Sequence, residues 1–334
     1  MTTLFVPKIS VVVTTFNRAN LLKKTLISLA SQTLADDELE IIVIDDGSTD
    51  ETRQVVDHLK SLVQISYVYQ PNSGLASAKN HGLFYCRAPI VLFLDDDDVA
   101  DPVFLEQHLL AHKTYPDPNF AILGHTNLAD NLQQDPLMKF VTSAGGHLFS
   151  FEKIPASTHL GYSYFWGGRT SCKRKYLLSH GVFNPVFRFG YEDIELGFRL
   201  QRHGLHVVYW PMASNTMIRR MSLQRFLKRC FRQGESGYRF LSLYPNDQEL
   251  AAGLSLSQVE EEWRRLGPRH HGVIQAAFHL DRMFRLMEPN QLQDIAYYQG
   301  LLYFAYARAF RAETIRGYVE ARQSSEAISV AVPV

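Results

Sequence analysis

Four consecutive aspartates, Asp95 to Asp98, form the segment of the sequence best suited to chemistry. Adjacent carboxylates repel one another, and burying them without a counter-ion costs free energy. Oxygen ligands of this type suit a hard divalent cation, and Mg²⁺ commonly binds one or two carboxylates together with substrate phosphates. A solvated acidic loop would have the same composition, so the run alone leaves both interpretations open.

A second acidic pair, Glu192 and Asp193, opens a predicted helix that stops near Gly204. Acidic side chains in a first turn stabilise the helix dipole, which is sufficient reason for their presence. Transfer of a group to a hydroxyl also requires a base that accepts the hydroxyl proton, and neighbouring carboxylates raise each other's pKa. The pair is therefore a candidate general base.

Alternating strands and helices must position these acids. Short apolar runs at residues 9–13, 41–44, 65–69 and 90–94 predict strands, and helical patterns follow Asn20 and cover 51–62 and 74–86. This spacing is typical of parallel βαβ units, and continuously apolar strands indicate helices on both faces. The fold class is therefore α/β.

Polar residues follow each predicted strand, and the carboxyl ends of strands in open α/β sheets are where ligands bind. The segments are Thr14-Thr15-Phe16-Asn17-Arg18, Asp45-Asp46, Asn72-Ser73-Gly74 and Asp95 to Asp98. The third segment enters a helix whose free N–H groups suit a phosphate, with Lys79 nearby. Together these segments predict one ligand site at a single edge of the sheet.

The later chain is less regular. Residues 119–170 are rich in glycine and aromatic residues, and we expect an irregular acceptor-side region there. Trp166-Gly167-Gly168 suits either a sugar ring or core packing. A short strand over 207–210 is predicted to end at Pro211, and helices dominate beyond about residue 220. The basic stretch 219–232 is either a solvated helix face or a contact for a diphosphate or an anionic membrane.

Composition narrows the classes of function. The 334 residues are 46% hydrophobic and 20% charged, with a formal net charge of zero. A nucleic-acid binder usually carries an excess of basic residues, so we expect no nucleic acid as a partner. Three widely spaced cysteines match no zinc pattern and read as reduced thiols. The first residues do not resemble a signal peptide, and the sequence has no apolar run of about 18 residues. We therefore expect a cytoplasmic protein, either free or in peripheral contact with the inner face of the membrane through residues 219–232.

Five segments together resemble family 2 glycosyltransferases with a GT-A fold. They are residues 10–18, 42–50, 72–82, 93–98 and 190–196, in the family's order. The resemblance spans roughly residues 5 to 220. It implies a Rossmann-like, mostly parallel sheet flanked by helices, with a helical C-terminal extension. We expect a catalytic domain over 1–222 and a mainly helical region over 223–334.

The resemblance also implies roles for individual residues. Asp95 and Asp97 would form the D-x-D pair that binds Mn²⁺ or Mg²⁺, with Asp96 close to the donor. Asp193 would be the base, with Glu192 beside it on the acceptor. The nucleotide-sugar would also contact residues from the first three strand ends and the following helix: Thr14, Thr15, Phe16, Asn17, Arg18, Asp46, Asn72 and Lys79.

One position departs from the family. Many relatives place a metal-binding histidine shortly after the proline that ends the strand, whereas residues 211–217 contain none. Asn215 or Thr216 would then substitute, or the metal would have two protein ligands.

The expected activity is inverting transfer from a nucleotide-sugar, by default a UDP-sugar, to a hydroxyl of a glycan, a lipid-linked molecule or another acceptor. Synthesis of a glycan or surface polysaccharide is the expected setting. Two alternatives stay open at this stage: a metal-dependent nucleotidyltransferase, and a non-catalytic subunit that binds a nucleotide or carbohydrate.

Overall fold

The computed structural model describes residues 6–60, 63–152, 154, 156, 158–287 and 295–331. These residues divide into two compact units. The sheet unit comprises Met1–Ala129, Phe151–Arg188 and Glu192–Arg219. The helical unit comprises Asp130–Ser150, Phe189–Tyr191 and Arg220–Val334. The domain bounds 1–222 and 223–334 stay a prediction.

A mixed β-sheet is the centre of the sheet unit. Its strands are β1 (Ile9–Thr15), β2 (Leu39–Asp45), β3 (Ile65–Tyr69), β4 (Ile90–Asp95), β5 (Asp98–Ala100), β6 (Phe120–Leu128), β7 (His159–Leu160), β8 (Arg169–Lys173) and β9 (His206–Met217). The order is β3-β2-β1-β4-β8-β6-β9-β5, with β7 beside β9. Pairing is parallel from β3 to β4 and between β6 and β9, and antiparallel elsewhere. The α/β class is confirmed, with a more mixed sheet than the sequence indicated.

The helices follow in chain order. They are α1 (Ala19–Ala30), α2 (Thr52–Leu59), α3 (Leu75–Tyr85), α4 (Phe104–Thr114), α5 (Asp130–Gln133), α6 (Pro136–Lys139), α7 (Arg174–His180), α8 (Glu192–Leu200), α9 (Leu223–Leu243), α10 (Gln248–Gly253), α11 (Val259–Leu266), α12 (His270–Arg285) and α13 (Ile295–Ala331). The helical C-terminal region is therefore confirmed.

Helical spacing of leucines explains how α1 packs on the sheet. Leu22, Leu26 and Leu29 lie on one face and are fully buried with Val11 and Val13 of β1. Burying each such side chain contributes about 1.5–3 kcal/mol. This core holds β1 and its neighbours in fixed register, which fixes the loops that leave their carboxyl ends.

The helical unit is built around close contact between α9 and α13. A Cβ at Gly234 would lie 1.9 Å from the Thr314 carbonyl oxygen, and one at Gly317 would lie 2.0 Å from the Phe231 carbonyl oxygen. Neither position therefore has room for a side chain. The two glycines allow the backbones of the helices to approach directly.

Several element ends differ from those predicted. α1 begins at Ala19 and has Arg18 as its N-cap, so it starts before Asn20, after which the sequence predicted it. Of the predicted helix 51–62, α2 covers Thr52–Leu59, and positions 61–62 lie outside the described residues.

The predicted end of a strand at Pro211 is wrong, because β9 continues to Met217. Its pairing with β6 jumps from Leu123↔Tyr209 to His125↔Ser214, so an irregularity lies around Pro211. A proline cannot donate to the ladder and is tolerated at such a bulge. The longer strand then pairs with β5, at Met217↔Asp98, and reaches the acidic run.

Candidate active site

Strand register brings the predicted polar residues to one edge of the sheet. In the parallel pairs, Thr15 lies opposite Asp45, and Thr14 lies opposite Asp95. Asp45 is in turn paired with Tyr69, the last residue of β3. The three loops and the acidic run therefore leave the sheet side by side, as the sequence predicted.

The loops after β1 and β2 are joined through Asn17. Its backbone N–H donates to Ser48 Oγ at 2.8 Å, and its Oδ1 accepts the Thr49 N–H at 2.8 Å. Asn17 has a φ of 53°, in the left-handed region that asparagine tolerates better than most residues. The neighbouring ring of Phe16 is 45% exposed. The loop is thus fixed in shape with an aromatic ring open to a ligand.

Asp46 organises the loop after β3. Its Oδ1 accepts from Gln70 Nε2 at 2.7 Å and from the Ser73 N–H at 2.8 Å, and its Oδ2 accepts the Gly74 N–H at 3.0 Å. Asn72 Nδ2 donates back to the Asp46 carbonyl oxygen at 2.9 Å. Both residues expected at the nucleoside therefore hold the shape of this loop.

Asp96 is buried between the first loop and the acidic run. Its two carboxylate oxygens accept from Thr15 Oγ1 and Arg18 Nη1, each at 2.7 Å. Burial raises the pKa of Asp96 to about 6, against the opposing attraction of Arg18. The contacts connect Thr15 and Arg18, two residues predicted to hold the donor, directly to the acidic run.

Asp97 lies between two arginines. Arg219 Nε is 2.8 Å from Asp97 Oδ2, and Arg18 Nη1 is 3.7 Å from the same oxygen. The Ile218 N–H also donates to the Asp97 carbonyl oxygen at 2.9 Å. Sequence reasoning placed Arg219 only in a general basic stretch, because its approach depends on the continuation of β9.

Asp95 and Asp98 share one cation, Arg169, whose Nη2 lies 3.5 Å and 3.7 Å from them. Asp98 is fully buried, and neither of its carboxylate oxygens accepts a hydrogen bond from the described residues. Burial holds its pKa well above the ordinary range. Desolvation would raise the pKa of Asp95 too, but Arg169 and then Lys79 outweigh it and keep that pKa low. Asp95 is the more exposed of the two.

The predicted base lies at the start of α8. Asp193 Oδ2 accepts the Gly167 N–H at 2.8 Å, and its Oδ1 accepts the Ile194 N–H at 2.8 Å. Burial raises the pKa of Asp193, the charge of Glu192 raises it further, and Lys79 opposes both. Lys79 Nζ is 2.9 Å from Glu192 Oε1 in a buried ion pair. A carboxylate with a raised pKa is suited to take a proton from a hydroxyl.

Two glycines bring the acidic run and the base together. A Cβ at Gly168 would lie 2.1 Å from Asp95 Oδ2, and one at Gly167 would lie 2.5 Å from Lys79 Nζ and 3.0 Å from Asp193 Cβ. The sequence singled out this segment for its tryptophan. Its glycines, which no motif marked, give Asp95, Lys79 and Asp193 the space to converge.

The site carries an excess of negative charge that suits a divalent cation. Six carboxyl groups (Asp95, Asp96, Asp97, Asp98, Glu192, Asp193) are grouped with four cationic side chains (Arg18, Lys79, Arg169, Arg219), so the site carries two negative charges in excess when all six are ionised. Hard oxygen donors are also the ligands that Mg²⁺ and Mn²⁺ prefer. The residues present therefore fit such a cation in charge and donor type.

The described residues contain no cluster of three His, Cys, Asp or Glu side chains able to hold a metal. Of the two substitutes considered, Asn215 is buried in β9 opposite Ala100, and Thr216 pairs with Val99. The amide of Asn215 accepts and donates no hydrogen bond among the described residues.

The remaining basic residues of 219–232 are partly engaged within the helical unit. Arg220 pairs with Asp135, and the guanidinium groups of Arg229 and Arg232 lie over the ring of Phe189. In the described part of the chain, every helix is too short or too polar to cross a membrane.

Residues 10–177, just over half of the chain, match the family model described as glycosyl transferase family 2. The chain belongs to this family. The match covers β1 to β8, and with them the acidic run and Arg169, which follows Gly167 and Gly168. The base at α8 and Arg219 lie beyond it.

Known proteins extend the comparison. Validoxylamine A glucosyltransferase of Streptomyces hygroscopicus subsp. jinggangensis is 36% identical over 223 residues, covering 60% of this chain and 53% of the relative. Mannosyltransferase PcManGT from Pyrobaculum calidifontis, solved with GDP-Man and Mn²⁺, has a TM-score of 0.59 at 18% identity, covering 96% and 88% of the two chains. S. aureus TarS 1–349 in complex with UDP-GlcNAc has a TM-score of 0.54 at 15% identity, covering 96% and 92%.

The two solved structures establish similarity of fold, and the expected GT-A architecture is confirmed. This chain spans about half the length of the curated relative named above.

Proposed function

We propose that this protein transfers a sugar from a nucleotide-sugar to an acceptor hydroxyl with inversion at the anomeric carbon. The observation that carries the proposal is the convergence at Gly167 and Gly168, where the acidic run and the carboxylate of Asp193 come together. A transferase needs its leaving-group site and its base on opposite sides of one reacting carbon. Family membership supports the same reaction class.

The donor we propose is a UDP-sugar. Support comes from a solved structure of the same fold that holds UDP-GlcNAc. A second structure of this fold holds GDP-Man, so the thermal-shift panel below includes GDP beside UDP. The nucleoside would lie against the loops after β1, β2 and β3, where Phe16 is exposed and Asp46 and Asn72 fix the loop shape.

Asp95 and Asp97 would hold Mn²⁺ or Mg²⁺, which when bound neutralises charge on the departing diphosphate. Asp95 is suited to this role because its pKa is held low by Arg169 and Lys79, so it is ionised. Asp96 is buried and tied to Thr15 and Arg18, and it would position those donor residues.

Asp193 would act as the base. Two backbone N–H groups orient its carboxylate, and its raised pKa favours acceptance of a proton from the acceptor hydroxyl. The oxygen would attack the anomeric carbon from the face opposite the nucleotide, so a single displacement inverts the configuration. Glu192, fixed by Lys79, would contact the acceptor. That acceptor would be a glycan, a lipid-linked molecule or another hydroxyl compound.

A non-catalytic nucleotide-binding subunit is the second candidate. It is favoured by one observation, the Arg219 guanidinium that lies against Asp97, a proposed metal ligand. Such a subunit would bind a nucleotide and release none from any donor.

A thermal-shift panel of UDP, GDP, CMP and dTDP, each with and without Mn²⁺, tests the donor site. A ligand that binds only the folded state raises the melting temperature. We expect UDP to shift it in a Mn²⁺-dependent way and Asp95→Asn to abolish that shift. Release of UDP from a panel of UDP-sugars then separates the transferase from the subunit. Binding of no nucleotide would contradict both candidates.

A further inference from the structure

The continuation of β9 past Pro211 delivers Arg219 to the acidic run. Met217 pairs with Asp98 in the β5–β9 ladder, and the Ile218 N–H then donates to the Asp97 carbonyl oxygen at 2.9 Å. One residue later, Arg219 Nε lies 2.8 Å from Asp97 Oδ2. Backbone pairing therefore places Arg219 beside the acidic run, and its side chain completes the contact with Asp97.

Asp97 is also the carboxylate proposed to hold the divalent cation. A guanidinium and a divalent cation repel each other, so both cannot bind the same carboxylate face at full strength. The two cations therefore compete for Asp97. Arg18 is a weaker competitor, because it is 3.7 Å from Asp97 and is hydrogen bonded to Asp96 at 2.7 Å.

An arginine released from a carboxylate needs another anion. Its planar fork of N–H donors matches a phosphate in a two-point contact. If a divalent cation binds Asp97, the diphosphate of the donor would bind that cation. The cation that displaces Arg219 from Asp97 would therefore bring with it an anion to which Arg219 can donate. The 19% exposure of the Arg219 side chain leaves it open to such a ligand.

We propose that Arg219 changes partner during donor binding: it neutralises Asp97 when the cation is absent, and it donates to the diphosphate when Asp97 binds the cation. This inference rests on the nucleotide-sugar function proposed above and assigns to that site a diphosphate-binding residue. In this proposal Arg219 also adds positive charge to the donor site of a chain that has no histidine at 211–217.

The test is titration calorimetry of Arg219→Gln, with Arg220→Gln as the matched control. Arg220 is the next residue along the chain, and it forms its ion pair with Asp135 of the helical unit instead of with the acidic run. Three ligands are titrated: Mn²⁺ alone, UDP in saturating Mn²⁺, and uridine in saturating Mn²⁺. Circular dichroism and melting temperature confirm that each variant is folded.

The expected results have opposite signs. Arg219→Gln removes the competitor, so Mn²⁺ alone binds about 3- to 10-fold tighter. The same change removes a charge-assisted contact, so UDP binds about 10- to 100-fold weaker, whereas uridine is unaffected. Arg219→Lys keeps the positive charge but lacks the planar fork of N–H donors, so its affinities for Mn²⁺ and UDP lie between those of the unaltered protein and Arg219→Gln. Arg220→Gln leaves all three affinities unchanged.

Other outcomes overturn the inference in distinguishable ways. If the unaltered protein binds UDP with Mn²⁺ and Arg219→Gln binds it equally well, Arg219 does not contact the diphosphate. If Arg219→Gln binds Mn²⁺ alone more weakly, the residue supports the cation instead of competing with it. If the unaltered protein binds neither ligand, the proposed function fails, and the inference fails with it.

Discussion

Asp135 in the helical unit and Asp98 in the sheet unit are both buried aspartates near arginines, yet their surroundings differ completely. Asp135 accepts hydrogen bonds from two backbone N–H groups at the start of α6, and from Arg220 and Arg285 at 2.9 Å. Asp98 has Arg169 at 3.7 Å, and its oxygens accept no hydrogen bond from the described residues.

Their pKa values move in opposite directions. Burial would raise the pKa of Asp135, but hydrogen bonds from Arg285 and the backbone outweigh it and lower that pKa. Burial dominates at Asp98 and raises its pKa well above the usual value. A charge that only stabilises a fold is normally satisfied within the protein. Asp98 is a buried carboxyl group that no described residue satisfies by a hydrogen bond, and it lies next to Asp97, one of the two carboxylates proposed to hold the cation.

The largest expected effect separates catalysis from stability. Asp193→Asn keeps the shape of the side chain but cannot take a proton, so transfer should fall about 10²- to 10⁴-fold. The melting temperature should fall only modestly, because the amide oxygen keeps one of the two backbone N–H bonds and the amide nitrogen loses the other. Asp135→Asn is the matched change in the helical unit, and it should show the reverse pattern. Equal transfer by Asp193→Asn and the unaltered protein would exclude Asp193 as the base.

Gly168→Ala should be the next most damaging change. Its Cβ would lie 2.1 Å from Asp95 Oδ2, so Asp95 or the backbone must move. A displacement of about 1 Å at such a site costs about 10²-fold in rate, and Mn²⁺ affinity should fall with it. Gly272→Ala in α12 is the control, since its Cβ would meet nothing within 4 Å and alanine favours helices. Normal Mn²⁺ binding by Gly168→Ala would show that Asp95 is not a ligand.

Stability measurements sharpen the contrast between the two aspartates. Asp135→Ala should lower the free energy of unfolding by about 2–4 kcal/mol, because it leaves two backbone N–H groups without their acceptor and removes one of the two acidic partners of the partly exposed Arg285. Asp98→Asn should change it by less than about 1 kcal/mol in the absence of metal, because the carboxylate it replaces is unsatisfied. Urea titration of both variants in chelator measures the difference. A larger loss for Asp98→Asn than for Asp135→Ala would contradict the view that Asp135 contributes more to the stability of the fold than Asp98 does.

The smallest expected effect is a shift in pH dependence. Asp193 must be ionised to act as a base, so transfer should be lost as the pH falls through its raised pKa. Burial is the main cause of that rise, and the charge of Glu192 is the second. Glu192→Gln should therefore move the acidic limb of kcat/KM to lower pH. An unchanged limb, or one at higher pH, would mean that another group controls it.

Sequence predicted the parts of the site that local patterns encode. Each strand that ends in a polar segment was identifiable from apolar periodicity, and parallel pairing then places Thr14, Asp45 and Asp95 at one edge. The acidic run and the pair that opens α8 were visible for the same reason.

Long-range pairing decided the rest. Arg219 reaches Asp97 only because β9 passes Pro211 at an irregularity in its pairing with β6, and no local signal marks that continuation. The importance of Gly167 and Gly168 depends on side chains from α3, β4 and α8 that meet there. In the helical unit, Asp135 and Arg285 are 150 positions apart in sequence.

Time-resolved proton NMR of donor hydrolysis tests the central claim most directly, because water serves as acceptor and no acceptor need be known. The donor should be the α-linked UDP-sugar from which the protein releases UDP fastest, and Mn²⁺ should be present. We predict that the β-anomer of the free sugar appears first and that Asp193→Asn abolishes its formation. Initial release of the α-anomer, or undiminished release by Asp193→Asn, would contradict a single displacement assisted by this base.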